Sequence, residues 1–73
     1  MEMMEKHGVV INMIKRGELL NGIIYKDMSD GSFPYYGEVR RGDAVIYKSA
    51  KYIDEDYVEQ WIDQKFNLLI GGK

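Results

Sequence analysis

Five carboxylates fall within ten residues: Asp54, Glu55, Asp56, Glu59 and Asp63. Paired carboxylates can act as general acid and base, but only where burial or a neighbouring charge moves their acidity toward neutrality. On an exposed helix face they keep near-normal acidity and make poor catalysts. What such a group does well is present charge. Glu55, Glu59 and Asp63 are four apart, so on a helix they form one ridge with no base between them in sequence. Like charges at that spacing destabilise a helix by roughly 0.2–0.5 kcal/mol per pair. Four helical residues advance about 6 Å, a step comparable to the distance between successive phosphates of a nucleic-acid strand. The ridge, extended by Asp54 and Asp56, has the pattern of a short phosphate run. Its partner would be a protein that handles DNA or RNA. The plainer alternative is a solvated helix face.

The other types that could do chemistry are sparse. His7 is the only histidine, no second ligand sits at metal spacing, and the two-histidine spacing of zinc proteases is absent. Ser29, Ser32 and Ser49 lie in or beside turn sequences with no histidine in a matching motif. The glycines form no phosphate-cradling loop. Arg41-Gly42-Asp43 matches the cell-adhesion tripeptide, but a tight hairpin turn draws on the same residue types. Neither an enzyme, nor a cofactor, nor a metal site is expected.

Tyr25, Tyr35, Tyr36, Tyr47 and Tyr52 interleave with Lys26, Arg40, Arg41, Lys48 and Lys51. Tyrosines on a sheet face with flanking bases can stack nucleobases and hold phosphates. Tyr35, Tyr36, Arg40, Arg41, Tyr47 and Lys48 would form that alternative nucleic-acid face. Tyrosine is also a good strand former, and Tyr, Trp and Arg are enriched at protein interfaces. These two explanations rank above nucleic acid, because the chain is acidic overall, with a net charge of −2.

The elements that must position these residues follow from the hydrophobic period. Residues 52–66 read as a helix capped by Asp54, with Glu55 and Asp56 in the first turn, where the helix dipole favours negative charge. Val58, Trp61, Ile62, Phe66 and Leu69 make its apolar stripe, and Gly71 and Gly72 end it. Residues 23–28, 33–40 and 44–49 alternate with a period of two and are separated by turn sequences. Pro34 places the start of the second of these strands at an edge or bulge. Near the N-terminus, Met3, Met4, Val10, Ile11 and Ile14 can share one face of a helix ending near Arg16, with Gly17 as its cap. The alternative is a strand over residues 9–14 with a hairpin through Asn21-Gly22. Helix is preferred, since Lys15, Arg16 and Glu18 read as a helix end and linker. The expected architecture is a single α+β domain over residues 1–73: an N-terminal helix, a three-stranded antiparallel meander, and a C-terminal helix packed on the sheet.

Seventy-three residues without cysteine are near the lower limit for a self-sufficient core. One core of that size rarely contributes more than about 3–5 kcal/mol, so a homodimer or burial against a partner is expected. No apolar run is long enough for a membrane span or a signal-peptide core, and the expected location is cytoplasmic. Charge is uneven: residues 1–51 carry +1 and residues 52–73 carry −3.

The segments INMIKRGELL, residues 23–49 and DEDYVEQWID follow one another in an order that resembles small phage-encoded inhibitor proteins of the anti-CRISPR type. The resemblance is one of layout and covers most of the chain. It implies a non-catalytic inhibitor that occupies the nucleic-acid-binding surface of its target with acidic side chains. The sequence thus reads as a small regulator or inhibitor acting by binding. The alternatives are a homodimeric structural domain and a nucleic-acid-binding module.

Overall fold

The computed structural model describes residues 8–71. Four strands in sequence order form one antiparallel sheet: β1 (Val9–Arg16), β2 (Leu20–Lys26), β3 (Tyr35–Arg41) and β4 (Ala44–Lys48). A single helix, α1 (Glu55–Ile70), follows and packs against β2 and β3 on one face. The class is α+β, but where the expectation began with a helix and a three-stranded meander, the meander has four strands.

Residues 9–16 are therefore a strand and not a helix. Val9, Val10 and Ile11 are β-branched, which stiffens χ1 and favours a pleated surface. The strand hides its period because a bulge falls between Val10 and Asn12. Val9, Asn12, Ile14 and Arg16 consequently point to the helix side, while Val10, Met13 and Lys15 point to the other. The hairpin turn is Gly17-Glu18-Leu19, with Gly17 at φ +70°, the left-handed region that glycine enters without steric cost. Asn21-Gly22 does not turn the chain; both residues lie inside β2. The proposed helix residues Met3 and Met4, and also His7 and Gly72, lie outside the described residues.

Gly22 and Gly37 make the seat of α1. A Cβ on Gly22 would collide with the Cγ2 of Ile62, and one on Gly37 would come within 2.6 Å of Val58 Cγ1. Their directly opposed cross-strand partners, Val39 for Gly22 and Ile24 for Gly37, fill the space beside them. Ile24, Val39, Val58, Ile62 and Phe66 are fully buried and constitute the core. Trp61 and Leu69 belong to the expected stripe but are only half-buried at its margin.

The path into the helix explains its start. Tyr52 and Tyr35 exchange both backbone hydrogen bonds, at 2.6 and 3.1 Å, so Tyr52 is committed to the sheet. Asp54 then caps α1 and accepts from the Asp56 N–H at 3.4 Å. The helix runs past Phe66 to Ile70, and Gly71 donates back to the Asn67 carbonyl.

Candidate functional site

Seen along α1, Val58, Ile62 and Phe66 point into the sheet. Lys65 leans toward β4, where its Nζ lies 5.1 Å from the Tyr47 ring and 5.9 Å from the Trp61 ring. Asp56, Glu59 and Asp63 turn the opposite way, toward β1, and Glu55 is not among them. Because α1 sits over β2 and β3, β1 extends beyond it as a shelf. Between shelf and helix runs a groove of about 410 Å³ lined by Ile14, Arg16, Asp56, Glu59, Ile62 and Asp63, with Gln60 beside them. Its floor is aliphatic and its helical wall is acidic.

Arg16 modifies the ridge in a way the linear sequence did not show. Its guanidinium donates to Asp63 Oδ1 at 3.0 Å and lies 5.3 Å from the centre of the Phe66 ring. One of the carboxylates thus has a base, supplied by β1. No described base pairs with Asp56 or Glu59, which remain exposed. Glu55 is half-buried, and Asp54 serves as the cap. The groove therefore offers three carboxylates and one guanidinium, the guanidinium already engaged.

The alternative nucleic-acid set is divided between the two faces of the sheet. Tyr35, Tyr47 and Arg41 have the register of the helix side, and Tyr35 and Tyr47 pack against the core. Tyr36, Arg40 and Lys48 belong to the opposite face. There Tyr25 and Tyr36 are cross-strand partners stacked 5.0 Å apart. Glu38, only 3 % exposed, accepts from the Tyr25 hydroxyl at 3.1 Å and from Arg40 at 2.9 Å. The Glu38 hydrogen bond pushes the Arg40 pKa up. Burial, reinforced by Glu38, does the same to Tyr25, and burial raises Tyr36 to about 12. This face holds a buried, internally hydrogen-bonded network, with Arg40 spent on Glu38.

Two features escaped the sequence reading. One is the apolar exposure of β1, signalled by Val9, Val10, Ile11 and Met13 in one short run. The other is a clamp on the β2–β3 connection. Asp27 accepts from the Ser29 N–H and hydroxyl, and Asp30 accepts from the N–H groups of Ser32 and Phe33. Lys51 bridges Asp27 at 2.8 Å and Asp30 at 3.4 Å. The Lys51 hydrogen bond, with those from Ser29, holds the Asp27 carboxyl far below the usual carboxylate range. Met28, Phe33 and Ile53 are exposed around this clamp.

Among the described residues no group of His, Cys, Asp and Glu is arranged to hold a metal ion. None of the described helices is long and apolar enough to cross a membrane. No family model, curated protein or solved structure matches this chain.

Proposed function

We propose that this protein acts by binding, as a small regulator or inhibitor whose α1–β1 groove receives a basic segment of a protein partner. The observation that carries this reading is the placement of Asp56, Glu59 and Asp63 along one wall of a groove floored by the part-buried Ile14 of β1, with the core residue Ile62 behind it. A lysine or arginine side chain has an aliphatic stem and a cationic head. The floor suits the stem and the wall suits the head. Nucleic-acid-handling proteins present such side chains in rows, which makes them the favoured partner class and keeps the phosphate-imitating reading of the ridge. Binding would be steered by charge, so the ridge acts mainly on the association rate.

The test is titration of the protein with a lysine- and arginine-rich peptide at several salt concentrations. Affinity should fall as salt rises, and should fall further when Asp56 and Glu59 are replaced by asparagine and glutamine. An affinity indifferent to both changes would overturn the reading.

A further inference from the structure

We infer that β1 is the interface through which two copies of this chain pair, antiparallel, into one continuous sheet. β1 is the edge of the sheet, and among the described residues no strand lies on its outer side. An edge strand presents unpaired N–H and C=O groups, and natural proteins blunt such edges with proline, lysine, shortness or a bulge; the bulge of β1 protects residues 9–11 and leaves 12–16 regular. β1 is eight residues long, has no proline, and has no charge before Lys15. Val9, Val10, Ile11 and Met13 are 40–57 % exposed on it. The opposite edge, β4, is five residues long, and the chain beyond it stays tied to β3 through Ser49 and Tyr52.

The sequence of β1 selects a second copy and an antiparallel arrangement. The bulge at Ile11 bends the strand, so regular pairing is available over residues 12–16. A two-fold axis at Ile14 sets Met13 opposite Lys15 of the second copy and Asn12 opposite Arg16 of the second copy. No like charges then face one another. A parallel, in-register pairing would line Lys15 and Arg16 up with their own copies, which is unfavourable. The two-fold axis keeps both helices on one face of the sheet. With strands about 4.8 Å apart and α1 over β2 and β3, the helix axes stand roughly 20 Å apart. Once helix radii are subtracted the two acidic ridges are roughly 10 Å apart, just over the ~8 Å Debye length at physiological salt, so their repulsion is partly screened. They become facing walls of one channel with a double β1 floor, roughly 10 Å wide after allowing for helix radii. That width suits an extended peptide. This last consequence rests on the proposed function; the pairing itself does not.

The chain has no cysteine, so a single engineered one reports the interface directly. Directly opposed residues of antiparallel strands have Cα atoms about 4.5–5.5 Å apart, within the span of a disulfide. Under mild oxidation Ile14→Cys should give a covalent dimer, and Ile46→Cys on β4 should not. Sedimentation equilibrium of the wild type should show twice the chain mass. The exposed double change Ile11→Lys with Met13→Lys should halve that mass while the circular dichroism spectrum is unchanged. A wild type that sediments as a monomer up to sub-millimolar concentration would overturn the inference. So would a dimer that cross-links through position 46 and not position 14. Neither readout involves the basic peptide, so a failure of the groove reading would leave this result standing.

Discussion

Arg16 on β1 reaches across the groove to Asp63 on α1 and bonds it at 3.0 Å, 47 residues away in sequence. The contact ties the edge strand to the acidic helix and makes the ridge uneven. Glu59 has only like-charged neighbours along its row, whereas Asp63 has a counter-charge.

Glu59→Gln should therefore leave stability equal or raise it slightly, because like-charge repulsion is relieved. Asp63→Asn loses its charge pairing with Arg16. Those side chains are 41 % and 61 % exposed, and exposed pairs contribute roughly 0–1 kcal/mol. A small loss or no change is expected. Thermal melting of both variants at low and high salt reads the difference; a large loss for Glu59→Gln would show that the ridge is structural.

Gly22→Ala should destabilise by roughly 1–3 kcal/mol, the usual range for overpacking a core. The added methyl meets Ile62, a fully buried core residue with little room to move. Gly31→Ala is the control: nothing lies within 4 Å of its added methyl. Denaturant unfolding of both gives the comparison, and equal midpoints would contradict the account of how α1 is seated.

These glycines also mark where the sequence was legible and where it was not. The stripe Val58, Ile62, Phe66 could be read because helical periodicity needs no knowledge of neighbours; the acidic row flanks that stripe on the β1 side, and its first member, Glu55, is half-buried. Asn21-Gly22 misled because a turn signal and a helix seat ask for the same residue, and only the position of Ile62 separates them. The first strand, the alternative reading for residues 9–14, ranked below a helix because its bulge breaks the alternation: Ile11 is extra. The Arg16–Asp63 bond and the buried Glu38–Arg40–Tyr25 group depend on strand pairing, which periodicity does not specify. The cap at Asp54 was legible in its residue type, whereas nothing local reveals the bridge of Tyr52 to Tyr35.

Phe66→Ala should cost about 3–5 kcal/mol, since the ring is fully buried. Trp61→Ala should cost clearly less. Trp61 lies at the core margin against Lys65 and is only part-buried. A Trp61 variant as unstable as the Phe66 variant would contradict this ordering.

Tyr36 gives an alkaline signature. Burial and the charges of Tyr25 and Glu38 raise its pKa to about 12 in the folded state, against about 10 in an unfolded chain. The folded state holds the proton more tightly. The stabilisation is fully present below pH ~10 and is lost as pH rises toward 12. Stability should fall over that window, and Tyr36→Phe should flatten the fall. Urea midpoints measured from pH 9 to 12 test this; identical slopes for the two proteins would refute it.

The most direct measurement is a map of amide chemical shifts on adding, in parallel, a lysine- and arginine-rich peptide and a single-stranded oligonucleotide. The account predicts that the peptide perturbs Ile14, Arg16, Asp56, Glu59, Gln60 and Asp63 at moderate salt. It also predicts that the oligonucleotide leaves the spectrum unchanged. Perturbation of Tyr36, Arg40 and Lys48 by the oligonucleotide, with no response to the peptide, would contradict it.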